Sequence, residues 1–166
     1  MMRQSKASYA IIKHYFGGKE FYLLQLNKQW NNQYNFISGH IEGIDNDNYK
    51  NTIIREVEEE LPPLMHQNDF TVRPIIDQPF QKQSFSLSAK QITCYTFYLF
   101  HVRFLKPCHD FVFLWEQDNS LNKWFTENEL ITGISKDGSR ITRFPVPDLI
   151  TFIPGGLAGL PDSFSN

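Results

Sequence analysis

The sequence predicts an α+β fold, and three features carry that reading. Residues 92–104 form a long run rich in aromatic and β-branched side chains, with shorter runs of the same kind at 9–12, 21–24 and 70–76. One segment ending at Leu61 repeats apolar residues at helical spacing. A second, shorter one opens with Thr126 and Glu129, the pair that closes a helix start reciprocally. At 166 residues the chain suits one domain, with a core built without disulfide or metal staples. Hydrophobic residues at 41% and charged residues at 20% exclude a disordered chain.

The first two apolar runs flank Gly17-Gly18 and predict a hairpin. Residues 30–34 are polar and Asn-rich, a loop leading into Phe36-Ile37-Ser38-Gly39. The main helix is predicted from about Asp45 or Asp47, where Asp and Asn can cap free N–H groups, to Leu61. Tyr49, Ile53, Val57 and Leu61 make its apolar stripe, and Pro62-Pro63 stops it. Residues 79–90, rich in Gln and Ser, read as a long connection or irregular hairpin before the strongest strand. Two further apolar runs follow at 111–115 and 123–125, then a helix over 127–134 capped by Thr126. Pro145, Pro147, Pro154 and Pro161 with Gly155, Gly156 and Gly159 forbid a long helix near the C-terminus, so 140–166 is expected as an extension packed on the domain.

The net charge of −2 and scattered Lys and Arg give no track for a phosphate backbone, and no nucleic-acid partner is expected. Cys94 and Cys108 lack metal or redox spacing, and none of the five histidines has ligand spacing. With no apolar run of membrane-spanning length, the expectation is a cytoplasmic protein away from membranes.

Chemistry concentrates on the main helix. Glu56, Glu59 and Glu60 stand three and four positions apart, on one face. Carboxylates held together repel one another, and a hard divalent ion, Mg²⁺ or Mn²⁺, relieves the repulsion with oxygen ligands. Before them stand Gly39 and Glu42, then Asp47; the helix reads Arg55-Glu56-Val57-Glu58-Glu59-Glu60. Downstream, Lys123-Trp124-Phe125-Thr126-Glu127-Asn128-Glu129-Leu130 carries a Trp-hydrophobic lead into Glu-Leu.

Together these residues resemble the Nudix box and the stretch that closes the Nudix core, over about residues 7–135. The pattern is altered in front of the helix. Asp47 stands for the usual loop Glu, the 39–47 loop is two residues longer, Ile37-Ser38 replaces Pro-Gly, and Pro62 replaces the Gly after the helix. The resemblance implies an α/β/α sandwich with a mixed central sheet flanked by helices. It also implies metal-assisted hydrolysis of a nucleoside diphosphate linked to another moiety, the small-molecule partner. Glu56, Glu59, Glu60 and the Gly39 carbonyl would hold the metal, and Arg55 would pair with Asp47. Glu42 would be a further ligand or a loop cap. The general base would be Glu59, or a later loop acid, Asp118 or Glu116. Pro79 resembles a position in ADP-ribose-type members, and Tyr34, Phe80, Phe85 and Trp115 are candidates to stack on a base. The altered loop motivates an alternative, a regulatory domain that binds a nucleotide without turning it over. A homodimer is compatible with either reading.

Overall fold

The structure is a computed structural model that describes residues 2–27, 32–41, 48–115 and 121–164. Ten strands are divided between two five-stranded sheets among these residues, with three α-helices against them. The first sheet holds β1 (Arg3–Ile11), β5 (Ile37–His40), β6 (Phe70–Pro74), β7 (Phe80–Ser86) and β8 (Gln91–Phe104). It is mixed: β1 runs parallel to β8 and antiparallel to β5. The second holds β2 (Lys13–Phe16), β3 (Lys19–Asn27), β4 (Gln33–Asn35), β9 (Asn122–Phe125) and β10 (Arg140–Ile141).

Alternation along the strands separates two cores. Tyr9, Ile11, Tyr22 and Leu24 point to a core closed by α2 (Glu127–Thr132) and α3 (Val146–Phe152), through Leu130, Val146 and Leu149. Their neighbours Ala10, Ile12 and Leu23 point the other way, to a core closed by α1 (Tyr49–Glu60) through Ile53 and Val57. Helices therefore cover both sides of the strands, the layered arrangement expected. The fold class stands, with the strands shared between two sheets rather than gathered in one.

The N-terminal runs pair differently from the expectation. The hairpin around Gly17 and Gly18 joins β2 to β3, with both glycines at positive φ. The run at 9–11 belongs to β1 and crosses into the other sheet, and only Ile12 accepts a bond from Leu23 at 3.0 Å. The helix also starts later than expected. Asn48 is the cap, accepting from the N–H groups of Lys50 (3.0 Å) and Asn51 (3.2 Å). At the other end Leu61 N–H bonds to Val57 O before the two prolines. Burying the Ile53 and Val57 side chains stabilises this docking by about 1.5–3 kcal/mol each.

β6 and β7 lie end to end along one edge of β8, and residues 75–79 bulge away between them. Residues 79–90 are thus mostly strand and tight turn, β7 hairpinning into β8. The run at 111–115 falls in a 3-10 segment, Cys108–Trp115. The capping box forms as read: Glu129 N–H donates to Thr126 Oγ1, and Thr126 N–H to Glu129 Oε1.

The C-terminal residues cross both sheets. Lys13 Nζ is buried and donates to the carbonyls of Leu157, Ala158 and Leu160 at 3.3, 3.0 and 2.7 Å. Ser163 ties β2 to β8, donating from its N–H to Lys13 O and accepting from Phe104 N–H. No helix among the described residues is long and apolar enough to cross a membrane.

Candidate functional site

The buried stripe of α1 fixes which face looks outward. With Ile53 and Val57 held in the core, Glu56 lies on the flank against β5, while Glu59 and Glu60 are exposed. Strand β5 is held in register by β1, with Gly39 opposite Ser8. A Cβ at position 39 would collide with the Glu56 carboxylate, so the glycine leaves the room this side chain occupies. The longer loop has not carried Gly39 away from the acidic helix.

Glu56 is only 14% exposed, and Arg55 answers part of its charge, with Nη1 at 3.0 Å from Glu56 Oε1 and 3.7 Å from Glu59 Oε1. The same guanidinium donates through Nη2 to the carbonyl of His40 at 3.5 Å. Burial raises the pKa of the Glu56 carboxyl, Arg55 pulls it down, and the Glu59 and Glu60 charges raise it again; the net direction is up. Such an environment favours a cation beside the carboxylate. Among the described residues, no three of His, Cys, Asp and Glu are gathered closely enough to hold a metal ion. Glu56 adjoins Gly39, and Glu59 reaches it through Arg55.

The remaining acid on the helix serves the fold: Glu58 Oε2 accepts from His66 N–H at 3.0 Å. Glu60 contributes its main chain, whose carbonyl accepts from Gln25 Nε2 at 3.2 Å. Glu42, Asp47, Glu116 and Asp118 lie outside the described residues. The expected Arg55–Asp47 pair lies there too.

Two clefts flank the ends of α1. One, of about 580 Å³, lies between the helix start (Asn48 to Lys50), the 75–79 bulge including Pro79, and β8 at Tyr98. Tyr49 and Tyr98 stack there, with ring centroids 3.4 Å apart. The other, of about 420 Å³, is walled by aromatic residues of the β2–β3 hairpin and of the segment around Trp115. Sequence reasoning missed the first cleft because its walls come from three separate stretches. Of the four stacking candidates, Tyr34 and Trp115 share the second cleft. Phe80 instead packs on Phe97 and Phe152, and Phe85 is exposed on β7.

Comparison with solved structures decides the fold. Shewanella oneidensis NrtR superimposes with a TM-score of 0.57 at 15% identity, covering 89% of this chain and 61% of that one. The NUDIX domain of the same protein, complexed with ADP ribose, gives 0.54 at 13% identity, covering 91% and 86%. The chain has the Nudix fold. A solution structure of the Escherichia coli ORF135 protein agrees over nearly the full length of both chains, 97% and 96%, with a TM-score of 0.52 at 16% identity. No family model and no curated protein matches the sequence. At such identities the likeness is one of fold, so the chemistry of this Nudix scaffold rests on its own residues.

Proposed function

We propose that the protein hydrolyses the diphosphate linkage of a nucleoside diphosphate joined to another moiety. The observation that carries this reading is the Glu56 carboxylate, partly buried, seated on Gly39 and crowded by Glu59 and Glu60. Carboxylates and a main-chain carbonyl are the oxygen donors that suit Mg²⁺ or Mn²⁺, and because the acids are not gathered among the described residues, Glu59 and Glu60 would have to turn toward Glu56 to complete the set. Glu56, Glu59, Glu60 and the Gly39 carbonyl would hold the ion. When bound, it supplies positive charge against the phosphate oxygens and acidifies water. Arg55, reaching two of these acids and the His40 carbonyl, fixes the start of the acidic face relative to β5. Water attacks phosphorus in line, the bridging P–O bond breaks, and Glu59 accepts the proton of the attacking water. Asp118 and Glu116 are the alternative acceptors. The unit is 1–166, with 7–135 as core and 140–166 laid over it, and we place it in the cytoplasm.

That the NUDIX domain of NrtR has been crystallised with ADP ribose supports a nucleotide derivative as ligand. A second reading has its own support. Arg55 already answers two of the acids, and NrtR has also been crystallised with a 27mer DNA, which keeps a nucleotide-sensing regulator in view. Turnover separates the two. With Mg²⁺ or Mn²⁺ and a panel of nucleoside diphosphate derivatives, the enzyme reading expects metal-dependent products, reduced at least about a hundredfold in Glu59→Gln. Binding without turnover on every substrate would favour the regulator. Turnover indifferent to Glu59→Gln would remove the site assignment.

A further inference from the structure

We propose that the aromatic cleft near the C-terminal end of α1 seats the nucleobase of the substrate, an inference that rests on the function proposed above. The cleft holds about 420 Å³, within the range of small-ligand pockets, roughly 300–1,000 Å³. Its walls are flat. Phe16, 40% exposed, stacks on Phe21 with ring centroids 4.5 Å apart, and Trp115 stacks on Trp124 at 5.0 Å and 13°. These rings are fixed in place: Trp124 Nε1 donates to Leu114 O at 3.1 Å, and Phe164 packs against both indoles. A rigid aromatic wall loses little conformational freedom when a ring settles on it.

The polar groups of the cleft select a base over a phosphate. Lys123 Nζ bonds to the Asp137 carboxylate and to Ser139 Oγ, and lies over the Tyr34 and Phe125 rings at 5.8 and 5.6 Å. Asp137 is held as an anion, its carboxyl far below the usual range because Lys123 first, then Ser135 and Ser139, hydrogen-bond its oxygens. A cation already paired with an anion offers a phosphate little net attraction. A heterocycle edge that carries both donors and acceptors fits the pair.

Position connects the cleft to the acidic helix. Asn122 lines the cleft, and its Oδ1 accepts from Gln25 Nε2 at 2.8 Å. That same Gln25 amide donates to the carbonyl of Glu60 at 3.2 Å. One side chain thus spans from cleft to helix end, and a base in the cleft directs its diphosphate toward Glu59 and Glu60.

Tryptophan fluorescence in EDTA tests this without any turnover. Wild-type protein is titrated with the four nucleoside 5′-diphosphates, with inorganic diphosphate and with ribose 5-phosphate. Saturable quenching is expected with at least one nucleotide and with neither base-free probe. Phe16→Ala, a surface truncation that keeps every tryptophan, is expected to weaken that nucleotide roughly tenfold, the size of one base–aromatic stack. Trp115→Leu, followed by calorimetry, is expected to do the same. Equal affinity in wild type and both variants, equal quenching by inorganic diphosphate, or no nucleotide binding at all would overturn the assignment. Quenching without metal-dependent turnover would keep the base site and remove the hydrolase; turnover with KM unchanged in both variants would do the reverse.

Discussion

The outer face of α1 and the C-terminal strap over β2 both gather charged groups, and they differ in how the charges are answered. At the strap, Lys13 is 3% exposed, with three carbonyls and Glu20 Oε1 (3.2 Å) around its ammonium. His101 beside it is held between Pro161 O at 2.8 Å and Ser163 Oγ at 3.3 Å. Among the described residues no buried side-chain nitrogen or oxygen lacks a partner. On α1 the balance is reversed: Glu56, Glu59 and Glu60 share one face, and among the described residues the Arg55 guanidinium reaches two of them. A satisfied buried network holds the fold together. A crowded, half-answered one gives up little stability when neutralised and gains most from a ligand. Stability should therefore depend on the strap and ligand binding on the helix.

Lys13→Met should show the largest effect. It takes the ammonium donor from the Ala158 and Leu160 carbonyls and the cation facing Glu20, and a loss of roughly 2–4 kcal/mol is expected in urea unfolding. Cation affinity of the remaining folded protein should be unchanged. A variant as stable as wild type would break the contrast at its strongest point.

Acid should act next, through His101. Burial holds its pKa below that of a free imidazole, and the nearby Lys13 and Arg73 charges lower it further, against the opposing pull of Pro161 O and Asp162. The unfolded chain therefore takes up this proton first. Stability from the neutral ring is fully present above the unfolded value, about 6.5. It is lost as the pH falls from there through the lower folded value. Urea midpoints measured from pH 8 to 5 should decline, and His101→Gln should flatten the decline. An unchanged slope in the variant would place the titration elsewhere.

The smallest stability effect is expected for Gly39→Ala. The new methyl meets the Glu56 side chain from Cγ to Oε1, so this flexible side chain must swing aside, at a cost of about 1 kcal/mol. Metal-dependent turnover should nevertheless drop, since the displaced carboxylate leaves its place beside the 39 carbonyl. A protein that loses several kcal/mol yet retains full turnover would show that Gly39 serves the fold and not the site.

The same contrast explains what the sequence made legible. The α1 stripe is local: Ile53, Val57 and Leu61 announce it by spacing, and Pro62-Pro63 ends it. Its start was harder to read because Asp45, Asp47 and Asn48 can all cap a helix, and Asn48 does. The run at 9–12 gave its strand but not its partner. Its residues alternate between two cores, so the pattern is equally compatible with pairing to β3 or to β8. The Gly39–Glu56 contact was legible through motif resemblance, since neither residue signals the other by periodicity. Lys13 carried no signal at all. Its acceptors lie 144 to 147 positions away and are main-chain carbonyls, which any residue supplies. The Lys123–Asp137 pair at the aromatic cleft was hidden for another reason: its members stand 14 positions apart on separate segments, and no periodicity links them.

The central claim, that the crowded face of α1 is a cation site, is tested most directly by Mn²⁺ titration of metal-free protein, followed by water-proton relaxation. The account predicts saturable binding to wild type, weakened at least about tenfold in Glu56→Gln by loss of a partly buried charged ligand. The unfolding midpoint of that variant in EDTA should stay near that of wild type. Identical isotherms for the two proteins, or no saturable binding to wild type, would contradict it.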